Sequence, residues 1–122
     1  MMDVKTFKFI NLDYMDMMSD NDPEMKKTML EMLFEEVPEE MDKMKALFEA
    51  ENWQELSEVS HKMKSTLAFV GNPEMTTANS KIEKVVKDNS EITSEMFAAE
   101  IATLMQLYPL VLEELKSVHQ GI

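Results

Sequence analysis

Two histidines occur in 122 residues, and one of them, His61, has neighbours suited to group transfer. A neutral imidazole nitrogen is nucleophilic near neutral pH, because an unperturbed histidine titrates at about 6.5. It can take a phosphoryl group as a phosphoramidate, a covalent intermediate that a second acceptor later empties. The residues Trp53, Leu56, Val59, Met63, Leu67 and Val70 recur at helical spacing and form one apolar stripe. At about 100° per residue His61 lies roughly 140° from the stripe's centre, so it is expected to face water. Ser57, Lys64, Ser65 and Ala68 share its outer strip. Ser57, Ser65 and Ala68 are small and leave room for a partner's own active site. The Lys64 ammonium is expected to offset phosphoryl charge and to disfavour the imidazolium.

A histidine used this way needs a firm helix beneath it, and the chain supplies the signals for one. Asn52 caps the central helix, Glu55 stands where it would complete a capping box, and Gly71 closes it. Upstream, residues 1–10, with Val4, Phe7 and Phe9 apolar, commit to no element. Leu12, Met15 and Met18 predict a short helix capped by Asn11 and ending near Ser19, followed by a turn at Asp20-Asn21-Asp22. Asp22-Pro23 opens a long helix reaching about Ala50, with Met25, Met29, Leu33, Val37, Met41, Met44 and Phe48 as its stripe and a kink at Pro38. Leu30 and Phe34 fall beside that stripe. Singly each reads as a contact for the short first helix; together they form a candidate apolar docking patch near His61.

Downstream, Asn72-Pro73 starts the next helix, with Met75, Ala78, Ile82 and Val85 on its buried face. After a turn at residues 88–92, a last helix begins near Thr93 or Ser94. Its stripe is Phe97, Ile101, Leu104, Tyr108, Val111, Leu115 and Val118, with a bend from Pro109 and a frayed tail from His119. The fold predicted is all-α: an antiparallel up-down-up-down four-helix bundle with a short extra N-terminal helix. Residues 1–21 form the extension and short helix packing on the bundle, and residues 22–119 the bundle itself.

Composition narrows the chemistry. Twenty-four acids against 12 basic residues, all of them lysine, give a formal charge of −12, which repels nucleic acid and anionic membranes. Without arginine there is no bidentate phosphate clamp, so phosphate must be met by Lys or by a partner. No cysteine is present, which removes disulfides, thiolate metal sites and Cys nucleophiles. With no secretory signal and no apolar run of membrane length, the expected location is cytoplasmic. The 14 methionines are spread over every helix and read as core filler. A di-metal carboxylate bundle needs two Glu-x-x-His motifs; Glu58 to His61 supplies one, but Lys116 stands where the second, before His119, needs Glu. No glycine-rich phosphate loop and no Gly-x-Ser-x-Gly elbow occurs, so neither ATP binding nor serine hydrolysis is expected.

His61-Lys62-Met63-Lys64-Ser65 resembles the H-x-x-K-G signature of histidine phosphotransfer (HPt) domains. The resemblance extends from about Asp22 to the end of the last helix, through the short link Glu51-Asn52-Trp53 and the post-motif Val70-Gly71. It departs at Ser65, where the family most often has Gly, and at Ser60, where Ala is common. The resemblance implies that His61 is phosphorylated, that Lys64 is the phosphate-side lysine, and that the domain is a phosphocarrier without kinase activity of its own. It implies receiver domains of response regulators, or of a hybrid sensor kinase, as partners. One receiver's phospho-aspartate donates to His61 and another receiver accepts from it. The resemblance further implies that the divalent metal sits on the receiver and that this chain needs no cofactor of its own. Ser57, Lys62, Ser65, Ala68, Leu30 and Phe34 are the candidate docking residues. A monomeric, free-standing protein is expected. The other reading of the same surface is a helical adaptor that binds its partner without being phosphorylated; phosphate incorporation at His61 separates the two.

Overall fold

Capping chemistry sets the helix boundaries. In the computed structural model, which describes residues 7–122, five helices follow in order: α1 (Asp13–Met18), α2 (Pro23–Glu49), α3 (Trp53–Val70), α4 (Pro73–Asp88) and α5 (Ala98–Gln120). A single 3-10 turn, Ser94–Met96, precedes α5, and no strand occurs among the described residues. Val4 and the rest of residues 1–6 of the expected extension lie outside them. Asp22 accepts from the Glu24 N–H at 3.0 Å, and Pro23 fills the first position of α2, where its missing donor leaves nothing unsatisfied. Asn72 and Pro73 repeat the device on α4, with the Asn72 side chain accepting from the Met75 N–H at 2.9 Å. Asp20 and Asn21 make the turn after α1 with φ of 53° and 56°.

Four expectations are corrected at the ends. Asn11 does accept from the Asp13 N–H at 2.9 Å, but the residue at the cap position of α1 is Leu12. The capping box on α3 is only half built. Asn52 accepts from the Glu55 N–H at 3.3 Å, whereas its own N–H already donates to the Leu47 carbonyl at 2.9 Å, closing α2. The last helix starts later than Thr93 or Ser94, because the 3-10 turn swings Phe97 inward. Phe97 is fully buried, edge-to-face with Trp53 and Phe48 at ring separations of 5.2 and 5.8 Å. The tail does not fray at His119, whose Nε2 pairs with Glu31 Oε2 at 3.0 Å on a helix that continues to Gln120.

Each long helix packs against the next, and α5 closes the ring on α2. Both α2 and α5 run unbroken through Pro38 and Pro109. The core includes Leu30, Leu33, Val37, Met41 and Met44 from α2, and Leu56, Met63, Leu67 and Val70 from α3. Leu30 is wholly buried, while Met25 is 47% exposed, which reverses their expected places. The reason is helical arithmetic: an i, i+4 spacing overshoots a full turn by about 40°, so a stripe from Met25 to Met41 sweeps roughly 160°. Its first members leave the core face, and Leu30 takes their place near its centre.

The chain before α1 crosses one end of this ring. The Glu114 carboxylate of α5 accepts from the Lys8 and Phe9 N–H groups at 2.9 Å each, and Asn72 Nδ2 donates to the Phe9 carbonyl at 2.8 Å. Asn11 N–H donates to the Val70 carbonyl at 3.1 Å, bringing residue 11 against Gly71 at the end of α3.

One carboxyl group sits badly for its charge. Glu40 Oε1 accepts from Thr66 Oγ1 at 2.8 Å, but buried Oε2 has no partner. Burial, reinforced by Glu36 and Glu39, pushes its titration above the ordinary 4.5. The folded state therefore keeps a proton that the unfolded chain releases, so stability falls as pH rises through that window. Glu40→Gln should stabilise the protein by about 1 kcal/mol at pH 7 in urea unfolding. The gain should vanish as pH falls below the ordinary carboxylate range.

Candidate functional site

The central helix delivers His61 to the surface by the same period that buries Leu56, Met63, Leu67 and Val70. The imidazole side chain is 70% exposed. Its Nδ1 lies 2.6 Å from Oε2 of Glu83, a half-buried residue of α4. The other oxygen of that carboxylate, Oε1, lies 2.6 Å from Lys64 Nζ. One glutamate thus ties together two residues that stand nearly a turn apart on α3.

The electrostatics fix the direction of the first bond. The Lys64 hydrogen bond, with a smaller contribution from His61, holds the Glu83 carboxyl below the ordinary carboxylate range despite partial burial. An ionised carboxylate can only accept, so the proton belongs to Nδ1. In the neutral imidazole that choice leaves Nε2 unprotonated, with its lone pair directed away from Glu83. The expectation of a bare ammonium beside the ring is corrected: Lys64 is neutralised locally by Glu83. It nevertheless keeps a 49% exposed side chain from which an arriving anion can recruit it.

Four of the six remaining candidates line three shallow grooves. Ser57 and Lys62 share with His61 and Glu83 a groove of about 890 Å³, whose apolar lining includes Leu47, Val59 and Val86. Ser65, with Lys62 again, opens on a groove bordered by Glu36, Glu39 and Glu40. Ala68 opens on a third, beside Tyr14 and Gly71. Ser65 and Ala68 are exposed and Ser57 is half-buried. Leu30 offers no surface, so its docking role is withdrawn. Phe34 is half-buried, and its ring meets His119 edge-on at 5.4 Å. Among the described residues no group of three or more His, Asp or Glu is placed to hold a metal ion.

A family model described as the Hpt domain matches residues 28–119, from the first turns of α2 almost to the end of α5. The chain belongs to the Hpt domain family. Searches of curated proteins and of solved structures returned no match. Membership implies histidine phosphotransfer in a phosphorelay and interaction with receiver domains of two-component systems. The match takes in His61, Lys64 and Glu83 and leaves α1 outside. No helix among the described residues is long and apolar enough to cross a membrane.

Sequence reasoning about this Hpt domain missed Glu83. It lies one residue beyond buried Ile82 on an acidic chain, and nothing in its local pattern distinguishes it from the other 23 acids, 24 in all. Only the packing of α4 on α3 singles it out. The buried pair Ser60 and Asn79 was also missed, because Ser60 stands outside the apolar stripe and Asn79 within an otherwise apolar face.

Proposed function

We propose that this Hpt domain is a phosphorelay intermediate in which His61 accepts a phosphoryl group from a receiver's phospho-aspartate and passes it to a second receiver. The observation that carries this reading is the carboxylate of Glu83 on Nδ1, which leaves Nε2 as the free nucleophile. In the forward step the Nε2 lone pair forms the N–P bond as the phospho-aspartate P–O bond breaks, and the aspartate carboxylate departs with the bonding electrons. Lys64 then meets the charge of the phosphoryl oxygens. The divalent metal that assists this chemistry belongs to the receiver. Ser57, Lys62, Ser65 and Ala68 provide a low rim over which a receiver can approach. Short connections support an antiparallel up-down-up-down course for α2 to α5, with the whole docking face available without a change of fold. We place the relay in the cytoplasm, with the protein as a monomer and without kinase activity of its own.

The test is transfer of label from a panel of phosphorylated receivers to the chain, and from the labelled chain to a second receiver. Acid-labile, base-stable label that moves onward supports the carrier. A folded chain that takes no label from any receiver of its organism returns the surface to a non-phosphorylated adaptor.

The geometry also ranks the supporting residues. Glu83→Ala releases both Nδ1 and Lys64 and should slow uptake on the order of tenfold to a hundredfold in stopped-flow transfer. Lys64→Ala leaves Glu83 on Nδ1 and should cost less, about threefold to tenfold. Equal losses would contradict the tautomer role given to Glu83.

A further inference from the structure

Directly before His61 lies a polar residue that the helix buries completely. Ser60 has no exposed surface, and Asn79 on α4 has 1%. The single Ser60 hydroxyl proton is shared between the Asn79 backbone carbonyl at 2.8 Å and its side-chain Oδ1 at 2.7 Å. In return Asn79 Nδ2 donates to the Ser60 carbonyl at 2.8 Å. Each residue therefore bonds both the backbone and the side chain of the other, and neither is left with an unpaired side-chain atom.

Such a clamp differs in kind from the apolar packing around it. Apolar contact is non-directional and tolerates small slides and rotations, whereas these bonds weaken steeply with angle and distance. His61 is the next residue after Ser60. Glu83 is one helical turn after Asn79 on the same face of α4. The relative register of α3 and α4 at Ser60–Asn79 is thus inherited almost without slack by His61–Glu83, a contact of 2.6 Å. We propose that Ser60 and Asn79 are positioning residues: their buried reciprocal hydrogen bonds set the register in which Glu83 holds the Nδ1 proton of His61. The effect on rate rests on His61 being the phosphoryl acceptor; the effect on tautomer does not.

The decisive variant is Ser60→Ala with Asn79→Leu, which removes both partners and strands neither. Imidazole nitrogen shifts of the full chain, followed up a pH series until they no longer change, report which nitrogen carries the proton. Phosphoramidate serves as a small phosphoryl donor for the rate. The wild type should show a protonated Nδ1. The double variant, with a similar melting temperature, should show mixed tautomers and uptake slowed by about tenfold. Retention of the Nδ1 proton and of wild-type uptake in that variant would overturn the proposal, as would a wild type without the Nδ1 preference. Should the double variant not fold, Asn79→Ala, which removes both bonds of the Asn79 side chain and leaves the Ser60 hydroxyl paired with the backbone carbonyl at position 79, takes its place: a retained Nδ1 proton with wild-type uptake would overturn the reciprocal clamp. A wild type with protonated Nδ1 that takes label neither from phosphoramidate nor from any receiver refutes the carrier reading alone, and the tautomer comparison still decides the clamp.

Discussion

His61→Gln should abolish phosphoryl uptake while leaving the fold intact. The imidazole contributes little to the core, being 70% exposed, and its one hydrogen bond goes to a glutamate that retains Lys64. Stability should therefore change by no more than about 0.5 kcal/mol. Glutamine can still accept or donate near Glu83, but its amide nitrogen has no lone pair available for attack on phosphorus. The loss should thus be complete rather than graded, read as absence of acid-labile label after incubation with a phosphorylated receiver. The other histidine provides the internal control. His119 is half-buried, paired with Glu31 and packed against Phe34, so His119→Gln should take label at the wild-type rate. Label that survives His61→Gln and disappears in His119→Gln would move the acceptor to the end of α5.

The second large effect concerns folding. Gly71 ends α3 at φ 72°, a conformation that costs a side-chain-bearing residue energy. A Cβ there would stand 2.0 Å from the Asn11 carbonyl oxygen, which is backbone and cannot rotate away. Gly71→Val must therefore displace the segment that α5 holds through Glu114, or distort the end of α3. We expect a loss of about 2–4 kcal/mol and a fall of roughly 10 °C in melting temperature. Gly121, with no positive φ and an added Cβ meeting its nearest neighbour at an ordinary 3.5 Å contact, offers the contrast: Gly121→Ala should be nearly silent in the same melt.

How far the sequence carried the fold depended on the kind of signal. Caps were legible because they are local: Asp22-Pro23 and Asn72-Pro73 determine their helix starts through atoms two or three residues away. The exposure of His61 was legible because the period of a single helix decides it. Leu30 was misplaced because a stripe of four-residue steps rotates by about 40° per step with respect to the core, a drift that the helical period itself dictates. Glu83 was of another sort. Its role depends on which turn of α4 faces which turn of α3, a tertiary register that no local pattern states. The same holds for Asn79, whose burial looks unfavourable until Ser60 is seen across from it.

In the relay proposed above, the contact between Glu83 and Nδ1 bears on the return journey as much as on the arrival. When Nε2 forms its bond to phosphorus, the proton on Nδ1 has not left, and the ring carries positive charge against the carboxylate. A ring in that state is a good leaving group, because breaking the N–P bond restores a neutral imidazole. The hydrogen bond that presents the nucleophile thus also keeps the ring protonated, and so keeps the N–P bond labile toward an acceptor. Forward and backward passage share one transition state, and whatever lowers it serves both. Such a site favours reversibility over storage: occupancy of His61 would follow the ratio of phosphorylated to unphosphorylated receivers around it, as a gauge of their balance rather than a reservoir.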